Sequence, residues 1–322
     1  MKNNGSKSNG RTMNAVRISR YGGIDALDYE NAPRPIPGEG EVLIRIHDTS
    51  VNPFDCAVRA GYVANYFNHT LPLILGTDVS GVIEATGPGV NVFKHGDEVY
   101  ARAGVTRDGA YAEYVVVPAS DVAFKPESLD HAHSAAIPHV SLTAWEALFE
   151  LANLSEGQTV LIHGAAGGVG HIAAQLARLH GARVIGTASV NFDFLAELEV
   201  DQPINYSTTH FEEVVDKVDV VLDTVGGDTQ ERSWGVLKPG GMLVSTVQAP
   251  SEASAAEHGV RYAMVLSSPP IGQVLTEVSR LVDSGRIKPH VSSIVPLEEI
   301  RKAHSLIEGK HTRGKIVLQV AA

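Results

Sequence analysis

A chain of 322 residues exceeds what one ordinary hydrophobic core accommodates, so two domains are expected. With 43% apolar and 20% charged residues the composition is globular, and a net charge of −11 disfavours nucleic acid or an anionic membrane, which both need a basic footprint. No run reaches the length of a membrane span, and the single cysteine, Cys56, excludes an intramolecular disulfide and fits a reducing, cytoplasmic setting.

Residues 1–12 are polar and basic with no apolar run, unlike a secretory signal, and are expected to be a disordered tail or tag ahead of Met13. Val42–Val51, Val79–Ala85, Glu98–Ala101 and Ala110–Val117 read as short strands parted by Gly and Pro turns, the texture of a small barrel or sandwich. His131 and His133 form a close pair with no thiolate or third ligand nearby, so surface or helix-cap roles are expected for them. Ala132–Leu151 has helical period, and from there strands and helices alternate. Thr159–Ile162, Arg183–Thr187, Pro203–Asn205, Val218–Asp223, Gly241–Ser245 and Arg261–Leu266 read as strands, with helices at Phe192–Leu198 and Thr229–Leu237. Such alternation predicts a doubly wound parallel sheet covered on both faces. The tail from Ile271 reads as helix, strand, helix and a last strand at Lys315–Val320.

The most informative stretch is Thr159–Gly181. An apolar strand runs into Ala165-Ala166-Gly167-Gly168-Val169-Gly170, and the apolar positions Val169, Ile172, Ala173 and Leu176 then follow at helical spacing. A phosphate diester suits this arrangement, because no Cβ blocks its approach and a helix N-terminus offers N–H groups. The strand after it ends Ile185-Gly186-Thr187-Ala188-Ser189, without the acid that would grip a ribose diol. A carboxylate there would repel a 2′-phosphate, so its absence permits NADP(H).

Together these segments resemble the medium-chain dehydrogenase/reductase superfamily, in its zinc-independent quinone oxidoreductase (zeta-crystallin-like) branch. The marks are Val51-Asn52-Pro53-Phe54-Asp55, Arg59-Ala60-Gly61, Gly76-Thr77-Asp78-Val79-Ser80-Gly81, Gly109-Ala110-Tyr111-Ala112-Glu113-Tyr114 and Leu142-Thr143-Ala144-Trp145. The Gly-rich turn, Asp223-Thr224-Val225-Gly226-Gly227, Lys238-Pro239-Gly240-Gly241 and Gly314-Lys315-Ile316-Val317 complete them. The resemblance spans Met13 to Val320. It implies a GroES-like barrel domain from residues 13–133 and 271–322, and a Rossmann cofactor domain at 134–270. Zinc alcohol dehydrogenases resemble the chain too, but carry Cys where Asn52 stands, Gly-His-Glu where Gly76-Thr77-Asp78 stands, and a four-Cys lobe. Without those donors a catalytic zinc has no cage, so no metal is expected.

The resemblance also implies roles. Asn52 is expected beside nicotinamide and substrate with its amide projecting into the cleft, and Asp55 close by, capping the turn. Tyr62 is expected near the substrate, to orient a carbonyl or donate a proton. Thr143 would approach the nicotinamide ribose, Ala166, Gly167, Gly168 and Val169 the pyrophosphate, and Val225 and Val247 would add cofactor contacts. Ser189 and Tyr206 match positions that hold the 2′-phosphate. Relatives usually place Lys or Arg just after that Ser, whereas this chain has Val190 and then Asn191, an uncharged substitute. Lys315 corresponds to a basic residue that reaches the pyrophosphate. The activity implied is hydride transfer from NADPH to a quinone or α,β-unsaturated carbonyl, in a cytoplasmic homodimer that pairs through Arg261–Leu266. The alternatives are a zinc-free alcohol dehydrogenase, an enoyl reductase, or an NADPH-binding protein of RNA-binding or crystallin type.

Overall fold

A computed structural model describes residues 8–266 and 270–320. In chain order the elements of the first part are β1 (Ser8–Ile18), β2 (Asp28–Pro35), β3 (Glu41–Val51), α1 (Pro53–Ala60), β4 (Leu73–Ile74), β5 (Asp78–Thr86), β6 (Glu98–Arg102), β7 (Tyr114–Pro118), β8 (Val122–Phe124), α2 (His131–Ala135) and α3 (Pro138–Trp145). Then come β9 (Thr159–Ile162), α4 (Gly168–Leu179), β10 (Arg183–Ala188), α5 (Phe194–Glu197), β11 (Gln202–Asn205), α6 (Phe211–Val214), β12 (Val218–Asp223), α7 (Asp228–Ser233), β13 (Leu237–Ser245), α8 (Glu252–His258) and β14 (Arg261–Met264). The last are α9 (Ile271–Asp283), β15 (Val291–Pro296), α10 (Ile300–Glu308) and β16 (Lys315–Gln319). Among the described residues, no helix is long and apolar enough to cross a membrane.

The chain divides into two compact units. One is built from the chain up to His139, Pro270–Asp283 and the chain from Pro289 onwards; the other begins at Val140 and takes in Ser284–Lys288. The first unit has the GroES-like arrangement. A small sheet ordered β2-β1-β4 accompanies a larger one ordered β15-β16-β3-β5-β6-β8, with β7 also on β3. Strand β3 organises the larger sheet because its 11 residues serve three partners: Glu41–Arg45 pair with β7, Val42–Asp48 with β5, and Asp48–Val51 with β16. Its end therefore brings Val51 opposite Ile316, so the C-terminal strand β16 meets β3 where it runs into α1.

The second unit is a six-stranded parallel sheet ordered β11-β10-β9-β12-β13-β14. Strands buried on both faces read as apolar runs, and the central ones do: Val160, Leu161, Ile162, Val220, Val221 and Leu222 are all buried. Strand order reverses on either side of β9, so the turn leaving β9 stands at the topological switch point where such sheets bind ligands. Lys288 belongs here because its N–H donates to Gln175 Oε1 on α4, at 2.8 Å.

Several expectations are adjusted. Strand β1 begins at Ser8, so Ser8 and Thr12 of the expected tail pair with β2 (opposite Pro35 and Pro33), with an irregularity in the register between them; residues 1–7 lie outside the described residues. The helix expected over Ala132–Leu151 is broken: α2 ends before Pro138, whose missing N–H suits only a helix start, and α3 passes into a π turn at Glu146–Leu151. The strand expected at Ala110–Val117 begins at Tyr114, because Gly109, Ala110 and Tyr111 instead donate their N–H groups to Ile74, Gly76 and Leu75.

Candidate active site

In the first unit the site starts where β3 ends. Asn52 is extended (φ −123°, ψ 150°), as a residue before proline must be, and Pro53 opens α1. The cap is supplied from inside the helix: the Asn52 N–H donates to Asp55 Oδ2 at 2.8 Å. Tyr111 Oη donates to the same oxygen at 2.9 Å. The Tyr111 ring lies against Gly76 (φ +94°), where an added Cβ would come within 2.3 Å of the ring, so only glycine permits this contact. Burial pushes the Asp55 carboxyl up to about 7, against the two hydrogen bonds.

The Asn52 side chain is not spent on the helix. Its Nδ2 donates to Asp78 Oδ2 (2.8 Å) and Thr77 Oγ1 (3.2 Å), and its Oδ1 accepts from Lys315 Nζ (2.5 Å). Lys315, the first residue of β16, also donates to Val51 O (3.1 Å) and reaches Asp78 Oδ2 (3.3 Å). Three acceptors thus face the three ammonium hydrogens of a lysine that is only 2% exposed. Asp78, at the start of β5, further accepts from Ser50 Oγ and from the His139 N–H. Burial alone would raise its carboxyl, but the Lys315 ammonium and the hydrogen bonds from Ser50 and Asn52 hold it below the ordinary value. Thr77 Oγ1 lies 3.1 Å from His139 Nδ1. Burial pulls the His139 imidazole down to about 3, so it is neutral.

The sequence expectations meet this geometry unevenly. Asn52, Asp55 and Lys315 are brought together, but Asn52 is buried with its amide satisfied by protein groups, so it does not project into open space. The Lys315 ammonium is drawn to the buried Asp78 carboxylate, at 3.3 Å. Tyr62 is 81% exposed, beside a cleft of about 360 Å³ that Cys56, Arg59 and Glu308 also line. Burial pushes the Cys56 thiol up to about 12, so it is no nucleophile. Asp78 and His139 were not singled out from sequence, although Asp78 lies within the quoted Gly76-Thr77-Asp78 motif. His133 fits its cap role, with Nδ1 and N–H both on Asp130; His131 is instead half-buried, stacked on His47 at 4.3 Å and bonded to Ser80.

In the second unit the Gly-rich turn fits a dinucleotide phosphate. Gly167 caps α4 with no side chain on the first-turn N–H groups. A Cβ on Gly170 would come 2.3 Å from Gly164 O and 2.6 Å from Ala165 Cα, which is why the turn can close this tightly. At the end of β10, Ser189 Oγ donates to Tyr206 Oη at 2.7 Å, which joins the two expected phosphate-binding hydroxyls. Asn191 and Thr143 are half-buried. Asp223 accepts from the N–H groups of Val225 and Gly226 and from Gln230 and Ser245, which fixes the turn after β12 and leaves Val225 exposed; Val247 is exposed after β13.

Two family models match, an alcohol dehydrogenase GroES-like domain over residues 38–127 and a zinc-binding dehydrogenase over residues 198–318. The zebrafish (Danio rerio) protein named NAD(P)H oxidoreductase RTN4IP1, mitochondrial, is 33% identical, covering 96% of this chain and 91% of its own. The chloroplastic NADPH-dependent alkenal/one oxidoreductase of Arabidopsis thaliana is 33% identical, covering 96% and 80%. The solved quinone oxidoreductase of Coxiella burnetii superposes with a TM-score of 0.90 at 35% identity, covering 97% of this chain and 100% of its own. The chain belongs to the medium-chain dehydrogenase/reductase superfamily, in its quinone oxidoreductase/RTN4IP1 branch. As a member of this superfamily it is an NAD(P)H oxidoreductase. The zinc in one matched description does not suit the residues present. At the positions where zinc relatives carry Cys and His stand Asn52 and Thr77, and the Lys315 ammonium is bonded to Asn52. Among the described residues, no group of three His, Cys, Asp or Glu could hold a metal ion.

Proposed function

We propose that this protein reduces a quinone or an α,β-unsaturated carbonyl with NADPH, without a metal. The observation that carries the reading is the Lys315–Asn52–Asp78 cluster: an internal cation, held by Asn52, Val51 and Asp78, replaces the zinc donor set. A bare ketone needs strong polarisation of its oxygen, whereas a conjugated acceptor is already electrophilic. The names of the Arabidopsis and Coxiella relatives, an alkenal/one and a quinone oxidoreductase, agree with such acceptors.

When bound, NADPH supplies the hydride. The chain's own residues supply binding and orientation. The α4 N-terminus and the glycines before it accept the pyrophosphate, with Ala166, Gly167, Gly168 and Val169 presenting backbone. Ser189 and Tyr206 offer hydroxyls to the 2′-phosphate, and Asn191 an amide, so NADPH is preferred over NADH by a neutral contact's worth, about 0.5–1.5 kcal/mol. Thr143, Val225 and Val247 flank the nucleoside and nicotinamide. The test is a panel of quinones, enones and saturated ketones read at the NADPH absorbance band, on protein purified without chelator. Turnover of the first two classes with well under one zinc per chain is expected. Turnover of saturated ketones alone, or activity lost on chelation, contradicts it.

The same reading extends to assembly as a homodimer. Strand β14 is the edge of the second unit's sheet among the described residues, and only Arg261 in it carries charge. Val265 N–H donates inward to Ser245 O, so by alternation the Met264 N–H faces the open edge. Light scattering at low micromolar concentration should give a dimer, and Met264→Pro should shift it to monomer or aggregate. A stable wild-type monomer contradicts the pairing.

A further inference from the structure

His163 follows β9 directly and opens the Gly-rich turn, yet its side chain is turned into the interior of the second unit and the residue is only 1% exposed. Both ring nitrogens have partners. Nε2 lies 2.9 Å from Ser233 Oγ on α7, and Nδ1 lies 3.3 Å from Thr187 Oγ1 on β10. Their polarity is fixed from the α7 side. Ser233 Oγ stands 2.6 Å from Thr229 O, an approach that needs the serine hydrogen, since a carbonyl has none to give. A hydroxyl carries a single hydrogen, so Ser233 accepts from His163 and the imidazole proton sits on Nε2. Burial pulls the imidazole below its ordinary value, so it is neutral and Nδ1 is left as an acceptor. Thr187 therefore donates to Nδ1, and its oxygen accepts the Gly164 N–H, at 3.2 Å.

Gly164 is the residue on which the turn is built. Thr187 holds it from two points, because the Ala165 N–H also donates to Thr187 O, at 2.9 Å. The Gly164 carbonyl accepts the Gly167 N–H at 2.9 Å, and Gly170 packs directly against the same oxygen. On the other side Thr224 Oγ1, just after β12, donates to His163 O at 2.7 Å. A polar chain thus runs from Thr229 through Ser233, His163 and Thr187 to Gly164, linking α7 to the residue that sets where Gly167 and Gly170 stand.

We propose that His163 is a positioning residue for the cofactor: its Nε2–H tautomer, held by Ser233, orients the Thr187 hydroxyl so that the pyrophosphate-binding turn is fixed before NAD(P)H arrives. The inference rests on the cofactor reading above and concerns the second unit alone. An apolar side chain at this place would fill the core but leave the Thr187 hydroxyl without its acceptor. That hydroxyl could then swing its hydrogen toward the Gly164 N–H, setting two donors against each other where a bond now stands. The loss is one of preorganisation, so it falls on cofactor affinity. Because the pyrophosphate is common to both nicotinamide dinucleotides, NADPH and NADH are affected alike. Ser189 and Tyr206 differ in this respect, since their hydroxyls bear on the 2′-phosphate alone.

The test is calorimetric titration of the intact protein with NADPH and with NADH, together with melting. His163→Leu and Thr187→Val should each weaken both cofactors by about three- to tenfold and leave the NADPH:NADH affinity ratio at its wild-type value. Thr187→Ser, which keeps the hydroxyl, and His163→Asn, whose Oδ1 can stand in for Nδ1, should recover most of the loss. Should His163→Leu not fold, the Thr187→Val and Thr187→Ser pair carries the same comparison. A second readout needs no cofactor. In protein labelled with ¹⁵N-histidine, His163 should show a protonated Nε2 and an unprotonated Nδ1, and in Thr187→Val the Gly164 amide should exchange with solvent faster than in the wild type. A lowered Tm with unchanged Kd in both Leu and Val variants, a changed NADPH:NADH ratio, or a proton on Nδ1 overturns the proposal while leaving the reductase reading in place. A wild-type protein that binds neither dinucleotide defeats the reductase reading and the proposal with it.

Discussion

Replacing Lys315 by Met should cost about 3–5 kcal/mol of stability, the expected consequence of removing one partner from a buried ion pair. For a protein of this size that is a fall in Tm of roughly 10 °C. The reason is what the change leaves behind. Asp78 is fully buried, and without Lys315 its carboxylate keeps only neutral donors, from Ser50, Asn52 and the His139 backbone. Adding Asp78→Asn to Lys315→Met should restore most of the loss, since a neutral pair needs no counterion. The sign of the pH dependence follows. In the wild type the Asp78 carboxyl sits below its ordinary value, so it stabilises the fold above about pH 4 and loses that contribution as pH falls through the lowered value. In Lys315→Met the buried carboxyl rises, which penalises the fold increasingly as pH increases. The gap between the two proteins should therefore narrow on acidification from pH 7 toward 4. A melting series over that range decides it, and a variant as stable as the wild type at pH 7 would remove the ion pair from the account.

Gly170→Ala should weaken NADPH binding and destabilise the second unit together. The new Cβ would meet Gly164 O at 2.3 Å, Ala165 Cα at 2.6 Å and Ala165 C at 2.9 Å, all backbone atoms that cannot rotate away. Overpacking of this kind costs about 1–3 kcal/mol, which corresponds to roughly tenfold to a hundredfold in affinity if it falls on the cofactor turn. Gly167→Ala is the contrasting case. Its Cβ would meet only Gly164 O, at 3.2 Å, and otherwise face open space. It should lower NADPH affinity by obstructing the phosphate while leaving Tm almost unchanged. Fluorescence titration and melting of both variants separate a blocked phosphate from a distorted turn.

The second unit was legible because its information is local. Thr159–Ile162 reads as a buried strand, the glycines follow within a few residues, and α4 carries its apolar face at helical spacing. The first unit was only partly so. Strand β2 presents a mostly exposed face with one buried residue, Ala32, so it lacks the alternation that marks a strand. Strand β1 begins in the polar stretch Ser8–Thr12, where pairing with β2 rather than side-chain pattern decides the conformation. The site was legible in its parts and not in its wiring. Asn52 and Lys315 were both picked out, but their partnership joins residues 263 positions apart, and nothing near either one announces it. The same holds for His139. Pro138 marks a helix start, but only the register of β3, β5 and β16 shows that the next residue meets Thr77 and Asp78.

The proposed reaction passes hydride from NADPH to the conjugated carbon of an acceptor without metal polarisation. It is tested most directly by running the reaction with NADPH deuterated at C4 of the nicotinamide and a cyclic enone, then locating the label in the product. One deuterium is expected on the β-carbon of a saturated ketone, with the α-hydrogen drawn from water. Deuterium on the carbinol carbon of an allylic alcohol, or no transfer from NADPH at all, contradicts it.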